Sequence, residues 1–345
     1  MSRLKKHTWL ALFAVVALVA AACGSDDDGG SDTTAATTGA TTATTAAMDP
    51  IRIAVVAPSA KNDLAFTQSM VDSLDRLAET HDITYDITDG TFVIEDAAIA
   101  IRGYAADGFD LVIAHGSQYG GSVEEIAKEF PETAFAWGTT RDTFGLPNVS
   151  AYTVQSDQGA YVMGTLAARM TESKIIGVVG PIEVGDAKLY VDGFVAGAAA
   201  EDSTVEVNVV YIDSFSDVAA AAETAQAHVQ SGADIMTGTA QMVVGATGVA
   251  RDNGVLWFGT QAEQTTLGEE IVVASQVYHW EPLLAQILDN MDNGILGGEV
   301  LVADFAAGGL EMVYNSGVTV SAEDQARADE VEAGITDGSI STGLG

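Results

Sequence analysis

Residues 110–116 read DLVIAHG and residues 233–239 read ADIMTGT. Each is an apolar run of strand length that breaks into small polar residues, as a strand buried on both faces does. The segments AFAWGTT (134–140) and VLWFGTQ (255–261) repeat the correspondence further along. The interval is far longer than a solenoid repeat, so the chain reads as two similar units in tandem.

Outward from these segments, strand and helix periods alternate. The first half predicts strands over 51–58, 83–88, 111–115 and 134–138, with helices over 65–79, 95–106 and 122–129. The second opens with a helix over 157–171. It continues with strands over 175–180, 205–212, 234–238 and 255–259 and helices over 187–200, 217–231 and 242–252. A strand (271–278), a helix (281–292), two strands near 300–305 and 310–315 and an acidic helix (321–333) follow. The fold class is α/β: parallel sheets with helices on both faces, in two doubly wound lobes. The expected division assigns 49–154 plus about 261–295 to the first lobe and 155–260 plus about 296–345 to the second. The trailing segments would extend both sheets and supply crossings between them.

The start of the chain is of another kind. Arg3, Lys5 and Lys6 precede an apolar stretch from Trp9 to Ala22, and Cys23 ends it. The stretch is short for a membrane span and reads as a signal peptide over residues 1–22. AAAC (20–23) resembles a bacterial lipobox with Ala20 in the usual Leu position, which implies an acylated Cys23. Cys23 is the chain's single cysteine, so no intrachain disulfide forms. Residues 24–47, rich in Thr, Ala, Gly and Asp, carry almost no apolar bulk and read as a tether to a body starting near Asp49.

Across the chain 14 basic residues face 49 acidic ones, for a formal charge of −35. Removal of the three basic residues of the signal leaves 11 against 49, or −38. No basic stripe offsets this surface. It argues against nucleic acid and anionic lipid as partners, and against phosphorylated solutes as guests.

Ligands of open α/β sheets bind outside the carboxyl ends of the strands. Those ends offer Ser59, Asn62, Asp63 and Phe66; His115, Ser117, Gln118 and Tyr119; and Ser214, Phe215 and Asp217. They also offer Thr239 and Gln241; Gln261, Glu263 and Gln264; and Tyr278, His279, Trp280 and Glu281. Aromatics beside short polar groups, with few cations, suit a flat neutral heteroaromatic solute held in a cleft that closes by hinge motion. An aromatic after a strand is also an ordinary core plug, and His115 and His279 read more naturally as structural histidines. Lys61, Arg141 and Lys188 fall in candidate loops, where surface roles suit them. The sequence has no G-x-S-x-G elbow, P-loop, H-E-x-x-H or Cys/His cluster, so neither enzymatic activity, nor a metal, nor a cofactor is expected.

Several fragments resemble one family in a shared order. They are NDLAFTQS (62–69), EEIAKEFPETAFAW (124–137), NVSAYTVQSDQGAYVMGTLAARMTESKIIGVVG (148–180) and DGFVAGA (192–198). DSFSDVAAAAETAQAHVQSGADI (213–235) and VVASQVYHWEPLLAQILDNMDNG (272–294) continue the order. Over about residues 51–340 the chain resembles the basic membrane protein (BMP) family of ABC-transporter substrate-binding lipoproteins. The resemblance implies a type I periplasmic-binding-protein fold, a purine nucleoside or nucleobase as ligand and an ABC permease as partner. By position it implies that Phe66 and Phe215 sandwich the base, that Trp280 and Tyr119 line the cleft, and that Asp63 reads polar groups. Glu263 falls where the family usually has Asp, and Gln241 lies near a position that is often Asp. The helix starting near Phe66 would aim its first amides into the cleft. A lipid-anchored monomer on the extracytoplasmic face follows. Two alternatives stay open: a sensory receptor of the same fold, and a surface hydrolase or lyase acting on nucleosides with Asp63 or Glu263 as its acid–base group.

Overall fold

The computed structural model describes residues 49–344, so the expected signal segment, Cys23 and the tether lie outside the described residues. In chain order the first elements are β1 (Ile51–Val56), α1 (Phe66–Ala78), β2 (Ile83–Thr88) and α2 (Ile94–Ala106). Then come β3 (Leu111–His115), α3 (Gly120–Glu129), β4 (Ala134–Gly138) and β5 (Val149–Val154). The next are α4 (Ser156–Met170), β6 (Ile175–Gly180), α5 (Gly185–Glu201), β7 (Glu206–Tyr211), α6 (Val218–Gln230), β8 (Ile235–Gly238), α7 (Val243–Asn253) and β9 (Leu256–Gln261). The last are β10 (Val272–Tyr278), α8 (Glu281–Asp292), β11 (Val300–Ala303), β12 (Leu310–Tyr314) and α9 (Ala322–Thr336).

The strands form two six-stranded sheets, ordered β2-β1-β3-β4-β5-β11 and β7-β6-β8-β9-β10-β12. Every pairing in the first is parallel. The second is parallel except at its edge, where β12 runs antiparallel to β10. The two orders are the same, and each reverses direction between its first and third strands, which opens a crevice beyond their carboxyl ends. The apolar runs at 111–115, 134–138 and 235–238 are central strands: every residue of β3, β4 and β8 is buried.

Strand pairing divides the chain differently from the expected boundaries. Residues 261–295 do not stay together: β10 belongs to the second sheet, whereas α8 packs on α1 and β11 of the first lobe. Residues 296–345 split likewise, with β11 at the edge of the first sheet and β12 at the edge of the second. The chain thus crosses at residue 155, at 279–280 and at 304–309. These crossings are tied to one another. Gln155 N donates to Ala303 O (2.9 Å), His279 N to Gly309 O (3.0 Å) and Phe305 N to Gln158 Oε1 (2.9 Å). Strand β5 is an element the sequence reading passed over. Ser150 and Thr153 interrupt its apolar pattern, yet Ser150 is buried in the sheet with Val149 and Ala151.

In the second lobe α4 and α5 touch backbone to backbone. A Cβ on Gly164 would lie 2.1 Å from Phe194 O, and one on Gly197 2.1 Å from Tyr161 O, so only glycine fits. No helix among the described residues is long and apolar enough to cross a membrane.

Candidate functional site

The carboxyl ends of both sheets line one cavity, part of it open to solvent. From the first lobe it is lined by Pro58 and Phe66 after β1, Phe92 after β2, Gly116, Ser117 and Gln118 after β3, and Thr139 after β4. The second lobe supplies Asp186 and Ala187 after β6, Phe215 after β7, Ala240 and Gln241 after β8, and Gln261 at the end of β9. Among the described residues no Lys or Arg lines it.

Phe66 opens α1, and its ring stacks on the His115 imidazole, with centroids 3.9 Å apart and planes 8° from parallel. His115 Nε2 donates to Phe66 O (3.1 Å), so in the neutral ring Nδ1 accepts from the Tyr152 hydroxyl (2.7 Å). Burial lowers the pKa of His115 to about 3, so the imidazole stays neutral. Trp280 stands edge-on to Phe66, His115, Tyr152 and Tyr278 at centroid distances of 5.4–6.3 Å. It is fully buried, with Nε1 donating to Ser69 Oγ and its backbone N to Ser73 Oγ, both at 2.9 Å. The first-lobe wall is therefore a braced block of rings of which Phe66 is the face turned to the cavity.

The cavity brings together Phe66, Phe215 and Gln241 of the residues expected at the site, and Phe66 and Phe215 come from different sheets. Trp280 lies behind Phe66 instead of lining the cleft. Tyr119 is buried as well, its hydroxyl donating to Thr91 O (2.7 Å). Asp63 turns onto its own helix. Oδ1 accepts from Ala65 N (2.9 Å) and Gln68 N (3.1 Å), while Oδ2 accepts from Thr67 N (3.2 Å) and Ser59 Oγ (2.5 Å). Those bonds occupy the first amides of α1, which the sequence reading had aimed at a ligand. Glu263 is exposed and not among the lining residues. Lys188 pairs with Asp192 and Glu183, and Arg141 donates to Gln155 Oε1 (3.0 Å).

Among the lining residues not named from the sequence are Phe92, Thr139 and Asp186. A search of every strand end, including those of β2, β4 and β6, would have reached all three. Thr139 Oγ1 donates to Asp186 Oδ1 (3.1 Å) across the two lobes, and burial raises the carboxyl's pKa. A second bridge joins Gln264 Nε2 to Leu64 O (3.1 Å), while Gln264 Oε1 accepts from Trp257 Nε1 (2.9 Å). Backbone strain gathers here too: Leu64, Ala240 and Gln261 have φ of +55°, +73° and +75°.

A family model described as ABC transporter substrate-binding protein PnrA-like matches residues 51–343. A purine-binding protein of Brucella abortus is 28% identical over 54% of this chain and 53% of its own length, so the chain spans about half of that relative. An ABC transporter nucleoside-binding protein of Lactococcus lactis is 23% identical over 80% of this chain and 85% of its own. Among solved structures, an ABC transporter solute-binding protein of Conexibacter woesei superposes with a TM-score of 0.72 at 23% identity, covering 84% of this chain and 98% of that one. At that identity the likeness concerns the fold, that of type I periplasmic solute-binding proteins.

Proposed function

The chain belongs to the PnrA-like family of ABC transporter substrate-binding proteins, and from that premise we propose that it captures a purine nucleoside or nucleobase between its lobes. The observation that carries this reading is that Phe66 and Phe215, from different lobes, line one cavity in which no cation stands among the described residues. Rings from opposite sides suit a planar uncharged guest, and each stack is worth about 1–3 kcal/mol. A guest that touches both lobes binds the closed form more tightly than the open one, and so shifts the population toward closure. The Brucella relative is named as purine-binding and the Lactococcus relative as nucleoside-binding, which supports this reading.

Delivery to an ABC permease follows from the family. Anchoring through an acylated Cys23 on the extracytoplasmic face rests on the sequence of the first 23 residues. Palmitate labelling in a bacterial host should mark the wild-type chain and not Cys23→Ser. The ligand reading is tested by calorimetry on the purified body against adenine, hypoxanthine, adenosine, inosine, nucleotides and sugars. Micromolar or tighter binding of a base or nucleoside is expected. Binding of a sugar or a nucleotide instead, with all bases and nucleosides silent, would sink it.

A further inference from the structure

Gln261 ends β9 in a three-residue turn. Ala262 N donates to Thr260 O (3.0 Å), and Gln261 between them has φ +75°. This is a γ-turn of the rare, strained hand. Its side chain lines the cavity, yet the residue is only 4% exposed. Among the described residues its Oε1 has no hydrogen-bond partner. At the neighbouring strand end Thr239 Oγ1 is likewise buried and without a partner among the described residues. A buried amide oxygen left unpaired forfeits its hydration, so a site that holds one rewards a guest able to donate to it.

We propose that Gln261 sets the specificity of the cavity, its carboxamide reading a hydrogen-bond donor and an adjacent acceptor on the edge of the bound ring. The inference rests on the reading of the guest as an uncharged purine and adds which groups that guest must present. A carboxamide offers one acceptor oxygen and two N–H donors side by side, so it matches an edge on which a donor and an acceptor are neighbours. Adenine carries an amino group beside a ring nitrogen, and hypoxanthine a ring N–H beside a carbonyl. 9-Methylpurine keeps the stacking surface and has no N–H. A site built around a hydrogen bond rejects the analogue that lacks it, because its own polar group is then stranded.

The test is calorimetry on the full body with adenine, hypoxanthine and 9-methylpurine, for wild type, Gln261→Leu and Gln261→Asn. Wild type should prefer adenine or hypoxanthine over 9-methylpurine. Gln261→Leu should lose about 10- to 100-fold for the preferred base and under about threefold for 9-methylpurine, which removes most of the selectivity. Gln261→Asn guards against misfolding, since Asn tolerates positive φ. Its carboxamide is one methylene short, and at least a fivefold loss for the base is expected. Equal losses for all ligands, wild-type affinity in both variants, or a wild-type preference for 9-methylpurine overturns the proposal and leaves the purine reading standing. A wild-type protein that binds no purine at all overturns both.

Discussion

The two lobes share one strand order and bring corresponding strand ends to one cavity, but they fill those ends with different chemistry. After β1 the first lobe offers Phe66, backed by His115, Tyr152 and Trp280; after β6 the second offers Asp186. After β2 and β7 both offer phenylalanine, Phe92 and Phe215. At β9 the second lobe adds the unpaired amide of Gln261. The first lobe is thus an aromatic floor edged by Ser117, Gln118 and Thr139, and the second a polar reader with one ring of its own. A fold repeated in tandem fixes where ligand groups sit, and each copy fills those places separately.

The largest effect should come from the bracing behind the floor. Trp280→Ala removes a fully buried ring and the indole N–H that donates to Ser69 Oγ. A loss of about 3–5 kcal/mol in unfolding free energy is expected, read from denaturant midpoints at constant m. A loss under about 1 kcal/mol would show that Trp280 is no brace, and the contrast between the lobes would fail.

Next come the two facing rings, which should behave alike toward ligand and unlike toward folding. Phe66→Ala and Phe215→Ala should each weaken purine binding by about tenfold or more, the weight of one stack. Phe66 is 9% exposed and packed on His115, so its removal should also cost roughly 3 kcal/mol of stability. Phe215 lies on a loop and is half-buried, and its loss should cost less than about 1 kcal/mol. Equal stability losses would erase the distinction between floor and reader.

The fold was legible because its signal is periodic. Buried central strands read as continuous apolar runs, and alternation with helices sets the sheet direction. What the pattern lacked was long-range pairing. Nothing local shows that the single late strand β11 joins the first sheet while β10 and β12 join the second. At the site, Phe66 and Phe215 stood out as rings at strand ends. Asp63 and Trp280 stood out by the same logic, but each was already engaged, one by α1 amides and the other by the ring block. Only coordinates distinguish a polar group spent on its own helix from one, like Gln261, left for a guest.

Two histidines sharpen the comparison through pH. His115 sits inside the first-lobe ring block, where burial lowers its pKa to about 3. His279 lies at a crossing, with Nδ1 on Glu281 and Nε2 on Glu311, each at 2.9 Å, and the Glu281 bond raises its pKa despite partial burial and nearby Arg76. The signs are opposite. The unfolded chain binds a proton at position 115 below about pH 6.5 and the folded one does not, so this stabilisation is lost as pH falls from 6.5 toward 3, about 2 kcal/mol by pH 5. The contribution of His279 is fully present below its unfolded value and is lost as pH rises through its raised folded value. In an NMR titration His115 should hold its neutral shifts down to pH 5, while His279 titrates above the usual imidazole range. A His115 that titrates near 6.5 would mean the floor is open to water.

The smallest effect tests the bridge between floor and reader. Thr139→Val keeps the shape of the side chain and deletes the hydrogen bond to Asp186 that joins the lobes beside the cavity. One such bond contributes about 0.5–1.5 kcal/mol. Because it exists only when the lobes meet, its loss should act on closure and leave each lobe's packing intact. Ligand affinity should fall about two- to tenfold with little change in the unfolding midpoint of the unliganded protein. The Asp186 carboxyl, its pKa raised by burial, then loses one of the donors that favour its charged form, so its titration, and any pH dependence of affinity that follows it, should move further up. Wild-type affinity and an unchanged pH profile would show that the contact does not contribute to closure, and Gln264 to Leu64 would be left as the bridge that couples the two lobes.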